Sequence, residues 1–215
     1  MTTLHAPDTL ALIDRLTDRL IGRAGGAVAD VAVHEIVVDS LRRYRHLDHP
    51  SSHARSLAAQ LAADRVDALQ WLATHEGRTH PASVLFVCSG NAGRSQIASA
   101  VMRAMTPSST RVVSAGERPT ARILPAVIEA LDEIGVPAFG EYPKPVTPEL
   151  VAAADHIVVL NCDDRLDELD GRAFRTWSIR LESTSGKQGM RRTRDEIAEN
   201  VRALAVELGL VVRAI

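Results

Sequence analysis

Val84-Leu85-Phe86-Val87-Cys88-Ser89-Gly90-Asn91-Ala92-Gly93-Arg94-Ser95-Gln96 is the stretch around which the chain is organised. It opens with an apolar run of strand type and turns through small residues. It closes with Arg94 and Ser95 ahead of Ile97, Val101, Met102 and Met105, whose spacing predicts a helix. A thiol therefore stands at a strand end with a helix N-terminus facing it. A cysteine, five residues and an arginine let the loop curl until several backbone N–H groups converge on one point. Such a concavity in front of a helix dipole binds a tetrahedral oxyanion. The candidate binding set is Ser89, Gly90, Asn91, Ala92, Gly93 and Arg94, with Arg94 adding a planar fork for two oxygens. The same positive field favours the thiolate of Cys88, its reactive form. Gly90 and Gly93 allow close backbone approach, and Asn91 suits a left-handed turn. Ser95 can donate its hydroxyl to the thiolate. A free cysteine at a strand end is often only a small packed hydrophobe; the loop, the Arg-Ser pair and the helix together argue for a nucleophile.

These residues resemble the phosphate loop of the low-molecular-weight protein tyrosine phosphatases and of the arsenate reductases that share their fold. Cys88-Ser89-Gly90-Asn91 and Arg94-Ser95 are similar to both groups. Gln96 is similar to the reductases, because the phosphatases usually carry proline there. Ala92-Gly93-Arg94-Ser95-Gln96 looks like the actinobacterial-type arsenate reductases, and the likeness runs from about Ser83 to the C-terminus.

The whole chain of 215 residues is 46% hydrophobic and 24% charged, with a net charge of −2. These values fit a soluble globular protein and give no reason to expect nucleic-acid or membrane binding. No apolar run approaches the ~20 residues of a membrane span, and no signal-peptide pattern is evident. The two cysteines, one in a reactive loop, suggest a reducing cytoplasm rather than a disulfide scaffold.

Residues 1–79 read as a three-helix bundle. Leu10, Leu12, Ile13, Leu16, Leu20 and Ile21 mark a first helix, stopped by Gly22 through Gly26. Val28, Val31, Ile36, Val38, Leu41 and Tyr44 mark a second. Ser51 and Ser52 can cap a third that carries Leu57, Leu61, Val66, Leu69 and Leu72. Gly77 through Pro81 reads as a linker. The bundle resembles an extension found on some actinobacterial-type arsenate reductases, which implies a homodimer, and so small a core is suited to a partner. His46, His49 and His53 are spaced suggestively, but Pro50 interrupts them and no cysteine accompanies them, so solvated turns are expected and no metal site.

Residues 80–215 alternate strands with helices, which predicts a parallel three-layer α/β sheet of four strands with ligands at the strands' carboxyl ends. After the loop helix come the strand Arg111–Gly116, a helix through Val127 and Leu131, and a short helix capped by Thr147. The strands His156–Leu160 and Arg175–Ile179 follow, then a long helix from Thr193 to Leu208. Two features bear on activity. Cys162 follows the third strand, and the resemblance implies that a cysteine there attacks the arsenic-bearing nucleophile and forms a disulfide. The relatives usually carry another cysteine a few residues on, and this chain has none. The relatives also carry an Asp-Pro pair after the last strand as proton donor; here the nearest carboxylate is Glu182, with Asp163 and Asp164 as fallbacks.

Three functions follow as expectations. The first is arsenate reduction to arsenite, with no bound cofactor and with regeneration by an external thiol, either thioredoxin or mycothiol with a mycoredoxin-type partner. The second is phosphomonoester hydrolysis as a low-molecular-weight tyrosine phosphatase, and the third is a non-catalytic oxyanion-binding module.

Overall fold

The computed structural model describes residues 7–44, 51–76, 82–138, 140–161, 169, 171–182 and 186–215. The chain forms two units, Met1–His80 and Pro81–Ile215.

The first unit contains α1 (Pro7–Ala24), α2 (Asp30–Arg43) and α3 (Ser51–His75). Ile13, Leu16 and Leu20 of α1 are buried, as are Val33, Ile36 and Val37 of α2 and Leu57, Leu61 and Val66 of α3. The buried face of α2 runs through Val33, Val37 and Leu41 at helical spacing, so Val31 lies off it and is exposed. Leu10, also expected inward, is exposed as well. Gly22 lies inside α1, and the chain turns at Gly25 and Gly26, whose φ values of 56° and 83° are left-handed. Ser51 opens α3, and Gly77 through Pro81 lie outside the described residues. Buried Arg65 binds Asp39 at 2.7 Å and Ser40 at 3.1 Å. Burial works to raise the Asp39 carboxyl, but hydrogen bonds and charge from Arg43 and Arg65 outweigh it and hold Asp39 below its ordinary range.

The second unit contains β1 (Ser83–Cys88), α4 (Arg94–Met105), β2 (Arg111–Gly116), α5 (Pro125–Asp132), α6 (Pro148–Ala152), β3 (His156–Leu160), β4 (Arg175–Trp177) and α7 (Gly186–Glu207). The four strands form one sheet in the order β2-β1-β3-β4, every pair parallel. All of β1 is buried, as a strand covered on both faces must be. Val84, Phe86, Val158, Leu160 and Trp177 share a core with Ile97, Val101 and Met102 of α4, Leu131 of α5 and Ile197, Val201 and Leu204 of α7. The chain passes from β1 to β2 and then crosses over β1 to reach β3, so the strand order reverses beside β1. Open α/β sheets bind ligands at the carboxyl ends next to such a reversal. Cys88 is the last residue of β1, in register with Gly116 of β2 and Leu160 of β3.

Three local expectations differ from this structure. The last strand ends at Trp177 rather than Ile179, and α7 begins at Gly186 rather than Thr193. Its first turns are polar and glycine-containing, and buried Met190 draws them onto the core. Thr147 occupies the N-cap position of α6 without making a capping bond; its hydroxyl is buried without a partner among the described residues. No helix among the described residues is long and apolar enough to cross a membrane.

Candidate active site

The sheet places the thiol, and the loop from Cys88 to Arg94 shapes the cradle around it. The strap after β2 runs beside the loop: Glu117 N–H donates to Cys88 O at 3.3 Å, Arg118 to Ser89 O at 2.8 Å, Thr120 to Gly90 O at 3.0 Å and Leu124 to Ala92 O at 3.0 Å. Pro119, which has no N–H, sits where the strap needs no donor. Gln96 Nε2 donates to Asn91 O at 2.8 Å, and Ile97 N–H to Gly93 O at 3.0 Å. Every carbonyl from Cys88 to Gly93 is therefore turned outward and satisfied. Among the described residues, none of the N–H groups from Ser89 to Arg94 has a partner. Donors left without a partner at a helix N-terminus suit an anion-binding nest.

Gly116 permits this close contact. A Cβ there would lie 2.7 Å from Asn91 N and 2.9 Å from Cys88 O, so no other residue fits without moving the loop. Gly93 serves the opposite side, where Leu181 and Leu124 pack over it.

Inside the loop, Asn91 has a left-handed φ of 45° and is fully buried. Lys144 N–H donates to its Oδ1 at 2.8 Å. That contact fixes the amide, so Nδ2 donates to Ser95 Oγ at 2.9 Å. Ser95 Oγ lies 2.9 Å from Cys88 Sγ. Because Asn91 occupies a lone pair of Ser95, the serine proton is free to go to the sulfur. Cys88 itself is 3% exposed.

Arg94, the first residue of α4, sends Nη1 to Ile179 O at 3.3 Å and Nη2 to Asn161 O at 3.5 Å. Ser89 Oγ also donates to Asn161 O, at 3.4 Å. Among the described residues no carboxylate pairs with Arg94, so two backbone carbonyls aim the fork and leave its charge for an anion.

The structure brings Cys88, Ser89, Gly90, Asn91, Ala92, Gly93, Arg94 and Ser95 into one concavity. Glu182 lies on the segment after β4, where its N–H donates to Thr193 Oγ1 at 3.1 Å and its carboxylate is paired with Arg192. Cys162, Asp163 and Asp164 lie outside the described residues, as do His46 and His49. No cluster of three metal-ligating side chains occurs among the described residues. Asn161, Lys144 and the strap from Glu117 to Leu124 were not anticipated from sequence. Asn161, an asparagine ending an apolar strand, carried the one available signal, because asparagine tolerates the left-handed φ of 47° it adopts.

The family model for low molecular weight phosphotyrosine protein phosphatase matches residues 83–212, which include the whole of this site. The chain belongs to this family. Among solved structures, a Corynebacterium glutamicum thioredoxin-dependent arsenate reductase is similar at 28% identity and a TM-score of 0.79, covering 93% of this chain and 97% of that one. That match extends beyond the family region into the N-terminal helices. An arsenate reductase in its phosphate-binding state is similar at 24% identity and a TM-score of 0.53, covering 59% of this chain and 98% of its own. The Vibrio vulnificus protein Wzb, solved with benzylphosphonate, is similar at 20% identity and a TM-score of 0.50, with 59% and 98% covered. These last two share the fold. The family thus holds both reductases and phosphatases, and its members are enzymes.

Proposed function

We propose that this chain is a thiol-dependent arsenate reductase. The observation that carries the proposal is the rim of the cradle. Thr120 faces Gly90, and Leu124 and Leu181 face Gly93. The aromatic residues Phe86, Tyr142 and Trp177 are buried, and exposed Phe174 precedes β4 at the end of the sheet away from Cys88. Among the described residues no exposed aromatic side chain therefore lies at the Cys88 end of the sheet to stack on a phenyl ring, as a phosphotyrosine slot requires, whereas a free tetrahedral oxyanion needs no such wall. The likeness to the Corynebacterium glutamicum reductase over most of both chains adds support.

In the proposed reaction the loop N–H groups and Arg94 hold arsenate, and the Cys88 thiolate attacks arsenic. One arsenic–oxygen bond breaks and its oxygen leaves as water. Glu182 is the proposed proton donor, which requires its contact with Arg192 to open. A second thiol, Cys162 or an external small thiol such as mycothiol, then attacks Cys88 sulfur. A disulfide forms, the sulfur–arsenic bonding pair stays on arsenic, and arsenite departs. Two thiols are oxidised and arsenic(V) becomes arsenic(III). A thioredoxin- or mycoredoxin-type dithiol restores the enzyme in the reducing cytoplasm. The N-terminal helices are proposed to pair two chains; sedimentation equilibrium of the full chain should then return twice 23.2 kDa, and 23.2 kDa itself removes the dimer.

The decisive test is a thiol count. Fully reduced protein is mixed with stoichiometric arsenate, alone and with mycothiol or glutathione. Loss of thiols with a peptide joining Cys88 to Cys162, or loss only when the small thiol is present, supports reduction and tells the two routes apart. Unchanged thiols in both samples, together with hydrolysis of p-nitrophenyl phosphate, would establish phosphomonoester hydrolysis instead.

A further inference from the structure

The Arg94 fork is aimed by carbonyls, and a carbonyl is only as fixed as the segment that carries it. Asn161 O directly follows β3. Ile179 O lies two residues beyond the end of β4, where the ladder has stopped and no strand holds the chain. Yet this segment contributes twice to the site: Ile179 receives Arg94, and Leu181 packs against Gly93, its methyl carbons 3.1 and 3.2 Å from where a Cβ would stand.

A single side chain from α7 grips the segment from behind. Thr193 is 1% exposed. Its Oγ1 accepts the N–H of Glu182 at 3.1 Å and lies 3.2 Å from both Arg180 O and Gly189 O. The bond to Gly189 is the ordinary back-bond of a helical threonine. The contacts to residues 180 and 182 are not; they give the segment the donor and acceptor that a neighbouring strand would have given it. Residues 180 and 182 bracket Leu181, and Arg180 follows Ile179, so the hydroxyl sets the height of both groups that touch the cradle.

We infer that Thr193, remote from the reacting atoms, is a positioning residue for the anion site, acting through the 179–182 segment on the Arg94 fork and on Leu181. The inference rests on residues 88–94 being an oxyanion site and is independent of whether arsenate is reduced or a phosphoester hydrolysed. Losing the hydroxyl frees the segment to shift, and Arg94 loses its Nη1 acceptor in the geometry that suits a bound anion. The hydrogen bonds around the sulfur are untouched, because Ser95 and Asn91 are held by β1, α4 and Lys144.

The test uses the full chain and inorganic phosphate as an unreactive probe, measured by calorimetry beside wild type. Thr193→Val keeps the shape and removes the hydroxyl, and it should weaken phosphate binding about five- to tenfold, the range expected for a residue acting through a neighbour. Thr193→Ser keeps the hydroxyl and should bind within about twofold of wild type. The pH profile of Cys88 alkylation by iodoacetamide should match wild type in Thr193→Ser. If the valine side chain prevents folding, Thr193→Ala removes the same hydroxyl with a residue that favours helix, and the same loss is expected. Wild-type phosphate affinity in the hydroxyl-free variants, whatever happens to their melting temperature, would reduce Thr193 to a structural residue and overturn the inference. So would a serine variant as weak as valine. Failure of wild type itself to bind phosphate or arsenate would instead remove the oxyanion reading.

Discussion

Beyond β1 and beyond β3 the chain makes the same move, an asparagine with a left-handed backbone at φ 45° for Asn91 and 47° for Asn161. Each conformation costs an L residue about 1–2 kcal/mol, so each must be held by its surroundings. They are held very differently. Asn91 is bound through its Oδ1, its Nδ2 and its carbonyl, to Lys144, Ser95 and Gln96. Asn161 is bound through its carbonyl, to Arg94 and Ser89, while its buried Oδ1 has no partner among the described residues. One turn is over-determined; among the described residues the other is supported at one atom. The difference fits the proposed chemistry. The first turn keeps N–H donors converged on an anion whose charge shifts during reaction, and fixed dipoles do this best. The second immediately precedes Cys162, the second thiol of the proposed intramolecular route.

The largest expected effect falls on the first turn's cargo. Cys88→Ser should lower turnover at least about a thousandfold while leaving phosphate affinity within a few-fold, because the donors and Arg94 remain. Rapid-quench measurement with arsenate and calorimetry with phosphate read the two quantities separately. Retained turnover would move the nucleophile elsewhere.

The two turns can then be set against each other. Asn91→Ala breaks two buried side-chain bonds and places a Cβ residue at positive φ without compensation. It should destabilise the protein by about 3 kcal/mol and slow Cys88 alkylation. Asn161→Gly removes an amide whose Oδ1 has no partner among the described residues and relaxes a positive φ, so it should fall within about 0.5 kcal/mol of wild type. Urea midpoints decide the matter, and equal losses would erase the distinction. Gly116→Ala tests the wall behind Asn91. Its new Cβ meets backbone atoms rather than a flexible side-chain end, and a loss of about 2 kcal/mol is expected.

The two turns also mark how far the sequence could be read. Cys88 through Gln96 was legible because strand, small-residue loop and helix lie within one contiguous stretch, and local chemistry dictates each of them. The alternation of strands and helices led to the parallel sheet for the same reason. What stayed hidden depends on residues that meet only in the fold. Asn161 matters because β3 lies beside β1, and Lys144 because its backbone N–H reaches Asn91 across 53 positions. Val31 and Val33 are equally apolar, and only packing decides which of them α2 buries. The start of α7 was missed because Gly186 and Gly189 are poor helix formers, overridden by the burial of Met190 behind them.

The smallest effect concerns how the strap side of the cradle is moored. Leu124 donates its N–H to Ala92 O and caps the start of α5, and Glu133 at the other end of α5 is bound by Arg191 and Arg194 of α7. The hydrogen bond from Arg191 does most to hold the Glu133 carboxyl low; burial opposes it, and the charges of Arg191 and Arg194 with the latter's hydrogen bond add to it, leaving it at about 2. A carboxylate depressed in the folded state lends stability that is present in full above its unfolded value of 4.5 and is lost as pH falls toward about 2. Glu133 is solvent-accessible, so salt screening keeps the contribution small. Hydrogen exchange of α5 amides, corrected for intrinsic rates, should rise between pH 4.5 and 2 in wild type and less steeply in Glu133→Gln, which has already lost the tie. Amides of β3 leading into Asn161 should show no difference between the two proteins, since nothing moors that turn to Glu133. An equal response in β3 would mean that the two turns share their support, and that the contrast between an asparagine held at three atoms and one held at its carbonyl does not extend to the elements behind them.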